Sequence, residues 1–272
     1  MTRTGWDALA AWRDFRMGEK GDLWHRSLID PTLLGVLGSV RGHRVLDIGC
    51  GNGYLTRRFK RQGAARAVGV DASIASIRIA RRREAAHSTG AEFVHGNSAR
   101  MRQFEDGAFD RIVANMSLMD IADAQGTIRE ASRLLSPDGR FVFSISHPCF
   151  DIDERSAWVV EHHPYRWSVA RKVEGYRHER PVRVAWKISE TEMGYTTSYH
   201  RTLATYSRYL RDSGLAITRL EEPSPKSEVV RKSSQGPYIA EIPLHLVVAA
   251  AHWRNPRNRT PRAPRHPRRK PN

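Results

Sequence analysis

Over its first 150 residues the chain alternates between two hydrophobic rhythms. Short, largely apolar runs occupy 44–48, 67–70, 92–95, 109–115 and 140–146. Around 54–62, 74–87 and 123–135, apolar residues return every three or four positions, the period of one helix face. Strands that alternate with helices predict a parallel, doubly wound α/β sheet. Pro137-Asp138-Gly139 reads as the turn between the third helix and the fifth strand. Ahead of the first strand, residues 5–38 carry a helical pattern that breaks near Gly18–Gly21, and Pro31 opens its last helix, where a fixed φ suits the first position.

Beyond residue 149 the rhythm changes. Residues 149–196 gather Trp158, Trp167, Trp186, Tyr165, Tyr176, Tyr195, His162, His163 and His178, with acids and bases nearly balanced. This predicts an inserted lid with a β-hairpin of its own. A helical pattern resumes from Tyr199 through Leu210 and stops at Gly214, and two further strands follow at 216–220 and 242–249.

The chemistry concentrates where the first strand ends. Asp47-Ile48-Gly49-Cys50-Gly51-Asn52-Gly53 is a strand terminus followed by three glycines at alternate positions and then a helix. Such a turn admits positive φ and lets a ligand approach bare backbone, with free N–H groups at the helix start behind it. The second strand ends in Val70-Asp71, 18 residues after the last glycine, where a carboxylate suits the two hydroxyls of a ribose. The spacing is not G-x-G-x-x-G, and Asp47 would face a pyrophosphate with a negative charge. An acid there suits a cation instead.

On these residues the chain strongly resembles the class I S-adenosylmethionine (SAM)-dependent methyltransferases, well over 40–150 and more loosely throughout. The resemblance implies a Rossmann-like sheet, mostly parallel, with an antiparallel C-terminal hairpin strand and an inserted lid. It divides the chain into an N-terminal helical cap (1–40), a SAM-binding core (41–150), a substrate lid (151–197), the C-terminal part of the core sheet (198–251) and a basic tail (252–272). Asp47, Gly49, Gly51 and Gly53 are then expected at the methionine half of SAM, Asp71 and Ala72 at the ribose, and Asn97 and Ser98 near the adenine. Asn97 stands where the family commonly has aspartate, and its amide oxygen can still accept from the adenine amino group. Asn115, ending the fourth strand, is expected under the sulfonium.

The fourth strand ends Asn115-Met116-Ser117-Leu118, not in the Asn/Asp-Pro-Pro-aromatic pattern of enzymes that methylate exocyclic base amines. Ser144-Ile145-Ser146-His147-Pro148-Cys149-Phe150 and Tyr199-His200-Arg201 look like a bacterial subgroup that acts mainly on small molecules, type 11-like. His147 and His200 are the candidate bases for a substrate hydroxyl, and a structural hydrogen bond is the alternative role of each. The aromatic lid points to an aromatic or apolar acceptor. The leading expectation is O-methylation of a small molecule in specialised metabolism, with S-adenosylhomocysteine (SAH) as product. The alternatives are an RNA or protein methyltransferase and a SAM-binding protein without turnover.

Composition changes this little. Half of the net charge of +16 lies in eight Arg or Lys between Arg254 and Lys270, interleaved with prolines and free of acids. Such a tail is expected to be disordered, and nucleic acid would be held only through it. Cys50 and Cys149 make no disulfide framework and no metal-ligand spacing. No run approaches the ~20 apolar residues of a membrane span, and no signal-peptide core opens the chain. A reduced, cytoplasmic enzyme with no bound metal is the expectation.

Overall fold

The computed structural model describes residues 5–152, 155–164, 166–225, 227–233 and 236–253. The described chain begins with α1 (Gly5–Met17), a π-helical turn (His25–Ile29) and α2 (Asp30–Leu37). There follow β1 (Arg44–Ile48), α3 (Tyr54–Arg61), β2 (Arg66–Asp71), α4 (Ile74–His87), β3 (Glu92–His95), β4 (Phe109–Asn115), α5 (Ala124–Leu134) and β5 (Leu135–Ser146). Two hairpins come next, β6 (Ser156–His163) with β7 (Arg166–Val173) and β8 (Arg180–Lys187) with β9 (Met193–His200). The chain then forms α6 (Leu203–Asp212), β10 (Leu215–Glu221), α7 (Ser227–Lys232), α8 (Gly236–Glu241) and β11 (His245–His252).

Seven strands make one sheet in the order β10-β11-β5-β4-β1-β2-β3. The five strands from β5 to β3 run parallel, while β11 is antiparallel to both β5 and β10. This is the Rossmann-like, doubly wound sheet of the sequence reading, antiparallel pairing included. Strand order reverses between β1 and β4, so a crevice opens beyond their carboxyl ends. β1 is buried on both faces. Leu46 and Ile48 pack with Phe141, Phe143 and Ile128 on one side, and Val45 packs with Leu33, Leu55 and Phe59 on the other. Asp47 shares the Val45 face, which carries its carboxyl into the layer beneath α3.

The apolar rhythm located the first strands and helices well, and it failed where packing overrode it. Pro137-Asp138-Gly139 is no turn between elements: β5 starts at Leu135, opposite Phe109, and Arg140 is already opposite Arg111, so the intervening residues bulge out of the strand. The helical pattern from Tyr199 is also displaced. Tyr199 and His200 end β9, opposite Pro181 and Arg180, and the helix begins after Thr202, whose hydroxyl caps it by accepting from Thr205 N–H. The lid region holds two hairpins, not one, and α7 and α8 fill the stretch before β11. Most of the expected basic tail lies outside the described residues. Among the described residues no helix is long and apolar enough to cross a membrane.

The N-terminal helix is fastened to the second hairpin by aromatic contact. The rings of Trp6 and Trp12 each lie 5.7 Å from that of Trp186 on β8. Removing that anchor should loosen α1 without melting the sheet. In Trp186→Ala the α1 amides are expected to exchange about tenfold faster or more, with β1, β4 and β5 unchanged, by hydrogen–deuterium exchange.

Candidate active site

The glycine turn is shaped by its two neighbours. At Gly49 (φ +69°) an added Cβ would lie 2.4 Å from the Cβ of Ser117, whose hydroxyl donates to the Ile48 carbonyl (2.7 Å) and so ties the end of β4 to the end of β1. Gly51 (φ +55°) is different: an added Cβ would meet nothing within 4 Å. One glycine permits close packing, and the other leaves backbone open to a ligand. Gly53 (φ +76°) starts α3.

Three carboxylates gather around this turn. Asp71 accepts from Gly51 N–H and Ser73 N–H, both at 2.8 Å, which orients the carboxylate and leaves lone pairs free. Asp47, 2 % exposed, accepts from the Thr56 hydroxyl at 2.6 Å. Asp30 is fully buried at the head of α2, accepting from Tyr54 Oη (3.0 Å) and Asn115 Nδ2 (2.9 Å), with Arg58 at 3.7 Å. Burial pushes the Asp47 carboxyl up to about 7, and the charges of Asp71 and Asp30 add to the shift. Burial likewise raises Asp71 and Asp30 above the usual carboxylate range. Among the described residues no Lys or Arg pairs with Asp47 or Asp71. The crevice is short of positive charge.

Asn115 is a hub. Its amide donates to Asp30 and to Tyr54 Oη (3.1 Å), and its oxygen accepts from the Ser144 hydroxyl (2.7 Å). Met116 follows at φ +49°, a conformation that costs a non-glycine residue roughly 1–2 kcal/mol. Its N–H is held by the carbonyl and hydroxyl oxygens of Ser144, at 3.1 and 2.9 Å. Strain of this kind concentrates at functional sites.

The remaining expected residues hydrogen-bond within the protein. Asn97 is exposed, and its amide oxygen already accepts from Ala99 N–H (2.9 Å). Ser98 bonds Thr127 (2.9 Å), and the Ala72 carbonyl faces His95 Nε2 (3.0 Å). His147 Nδ1 accepts from Cys149 N–H (3.2 Å), so Nε2 carries the proton and donates to Glu222 (3.0 Å). Both of its ring nitrogens are occupied, and burial pushes the imidazole down against the pull of Glu222. His200 Nε2–H donates to the Tyr176 carbonyl (2.7 Å). These bonds engage both ring nitrogens of His147 and, in His200, Nε2.

Sequence reasoning missed what the N-terminal segment contributes. Asp7 accepts from the Ser73 hydroxyl (2.7 Å) and Ala75 N–H (3.0 Å) at the start of α4. Asp14 accepts from Arg83 (2.6 Å) and from Asn52 of the glycine turn (2.9 Å), and Glu19 pairs with the buried Arg57 (3.1 Å). The acids spaced along α1 were the available signal; their partners lie more than 35 residues away. Among the described residues no group of three or more His, Cys, Asp or Glu is placed to hold a metal.

An open glycine turn beside uncompensated carboxylates fits a ligand that bears a ribose and two positive charges, an ammonium and a sulfonium. Comparison with known proteins agrees. Residues 46–143 match the family model described as a methyltransferase domain. A solved SAM-dependent methyltransferase from Mesorhizobium loti is 27 % identical, with a TM-score of 0.66 over 81 % of this chain and 95 % of its own. A demethylmenaquinone methyltransferase of Tropheryma whipplei is 36 % identical over 42 % of this chain and 46 % of its own length. A ubiquinone biosynthesis O-methyltransferase of Neisseria meningitidis is 34 % identical over 39 % and 44 %. The match thus spans less than half the length of these two curated relatives. Residues 46–143 thus form a methyltransferase domain, and the chain as a whole is similar in sequence and fold to a SAM-dependent methyltransferase.

Proposed function

We propose that the chain methylates an oxygen of a small aromatic or apolar acceptor in specialised metabolism. The observation that carries this reading is an apolar wall built where β4 and β5 end. Trp24, Met116, Phe150 and Trp158 pack there with Ile239 and Leu244, from five separate parts of the chain. Pockets for small acceptors are lined in this way. The strained Met116 lies in that wall and adjoins Asn115. The Neisseria relative, an O-methyltransferase by name, supports oxygen as the target.

SAM, when bound, supplies an electrophilic methyl on its sulfonium. Asp47 would face the methionine ammonium, Gly49, Gly51 and Gly53 would offer it backbone, and Asp71 would take the ribose hydroxyls. Ala72, Asn97 and Ser98 would lie along the adenine. Asn115, braced by Asp30, Tyr54 and Ser144, holds the floor of the crevice where β4 ends. Positioning of this kind can supply about 7–11 kcal/mol of the barrier reduction in a bimolecular transfer.

Three outcomes test this reading. Asp71→Ala removes two charge-assisted hydrogen bonds and is expected to weaken SAM about 10- to 100-fold by calorimetry; unchanged affinity would remove Asp71 from the site. Asp47 gives a pH signature. Its folded pKa, about 7, lies above that of the unfolded chain, so the ligand-free protein holds a proton that the unfolded chain has lost. Stability should therefore fall as pH rises from about 4 to 7, while SAH affinity should rise about eightfold between pH 6 and 7.5 as the carboxylate forms. Asp47→Asn should flatten both profiles. Last, SAH release should be measured against a panel of catechols, hydroxybenzoates and aliphatic alcohols, and turnover confined to amines or to RNA would overturn the acceptor assigned here.

A further inference from the structure

Three imidazoles approach one another at the edge of the crevice: His25 on the π-helical turn, His245 at the start of β11, and His147 after β5. They are not equivalent. His147 has both ring nitrogens in hydrogen bonds. His245 is pushed down to about 4, by burial first and then by the charge of His25, so it is neutral at physiological pH and too weak a base to hold a proton. His25 is built differently.

The His25 Nδ1–H donates to Asp22 Oδ1 at 2.8 Å, and the same oxygen accepts the His25 backbone N–H at 3.0 Å. Arg13 holds the other oxygen of Asp22 at 3.3 Å. Burial acts to raise the Asp22 carboxyl, but the side-chain and backbone hydrogen bonds from His25 and the charge of Arg13 act against it, and Asp22 stays well below the usual carboxylate range. An ionised carboxylate on Nδ1 fixes the tautomer and leaves the lone pair on Nε2. Among the described residues nothing hydrogen-bonds that nitrogen. The ring stands edge-on to Tyr54, centroids 6.3 Å apart, and Tyr54 in turn bonds Asp30 and Asn115. Trp24, the preceding residue, belongs to the apolar wall and lies 6.2 Å from His245. The turn itself is π-helical, a form that often marks functional positions.

We propose that His25 is the general base of the methyl transfer and that Asp22 is its positioning residue. This rests on the reading of an oxygen acceptor given above. The O–H proton of the acceptor passes to His25 Nε2 while the oxygen forms its bond to the methyl carbon. The carbon–sulfur bond breaks with its electron pair left on sulfur, so the products are the ether, neutral SAH and an imidazolium. Asp22 stabilises that imidazolium directly, and Asp30 does so at longer range. His245, neutral beside it, adds no opposing charge.

The test uses the full chain labelled with 15N-histidine in complex with SAH. Long-range proton–nitrogen spectra report which ring nitrogen of His25 carries the proton, with the signal assigned by its loss in His25→Gln. The expected result is Nδ1–H and a bare Nε2, reversed to Nε2–H in Asp22→Asn. With the panel member that the wild type methylates fastest, kcat should fall about 10²- to 10⁴-fold in His25→Gln. It should also fall in Asp22→Asn, while SAH affinity stays within about threefold of wild type. A protonated Nε2 in the wild type, or a His25→Gln rate within about threefold of it, overturns the dyad. Failure of the wild type to methylate any hydroxyl compound would instead fell the acceptor reading, and the spectrum of the SAH complex then decides on His25 alone.

Discussion

Everything around the crevice follows from a cluster of buried carboxylates, two of which, Asp47 and Asp71, have no Lys or Arg partner among the described residues. Moving an ionised carboxylate out of water costs several kcal/mol unless an opposite charge or a set of hydrogen bonds replaces the solvent. Asp47, Asp71 and Asp30 lie within electrostatic reach of one another beneath the ends of β1, β2 and β4, and each raises its neighbours' pKa or is itself raised by burial. The fold satisfies them only in part. Thr56 serves Asp47, two backbone N–H groups serve Asp71, and Tyr54 with Asn115 serves Asp30. Among the described residues Asp47 and Asp71 have no Lys or Arg partner, and the ammonium and sulfonium of a bound SAM would bring positive charge to the glycine turn.

The sheet supplies the rigidity this arrangement requires. β1 is buried on both faces and pairs with β2 and β4 through Asp47 itself, opposite Gly69 on one side and Val113 on the other. A carboxylate on a central strand cannot swing out to water, so its charge must be met where it stands. The bond from Ser117 to Ile48 and the contact of Gly49 with Ser117 then hold the two strand ends together at the switch point.

How much of this the sequence displayed depended on range. The pattern Asp47-Ile48-Gly49-Cys50-Gly51-Asn52-Gly53 and the acid at Asp71 were legible because strand, turn and helix are adjacent in sequence and each glycine marks a local need of the backbone. Strands with strong apolar runs were equally plain. The bulge at Ser136–Gly139 was not, because a Pro-Asp-Gly run carries the same turn chemistry whether it separates two elements or loops out of one strand. Tyr199 and His200 kept a helical spacing yet joined β9, where pairing with β8 outweighed local period. The N-terminal contributions of Asp14, Asp22, His25 and Asp30 were invisible for another reason: each acquires its meaning from a partner or a neighbour in the folded crevice, and a polar residue on an amphipathic helix reads as solvated face until that neighbour is known.

The cover over the crevice is held differently from its floor. α1 is fastened by many modest links: Asp7 to the head of α4, Asp14 to Arg83 and Asn52, Glu19 to Arg57 and Arg83, and two tryptophans against Trp186. The partly exposed pairs of Arg83 with Asp14 and Glu19 contribute at most about 1 kcal/mol each. The floor, by contrast, is set in fully buried strands. A cover held by separable weak contacts can open at a small fraction of the cost of global unfolding, and cofactor must enter and leave once per turnover. Because the links to α4, to Asn52 and to Arg57 all start from α1 and the turn after it, they would break together. Asp22 and His25 lie on the same stretch of chain, so opening would withdraw the dyad from the crevice, and closure would bring base and cover into place in one motion.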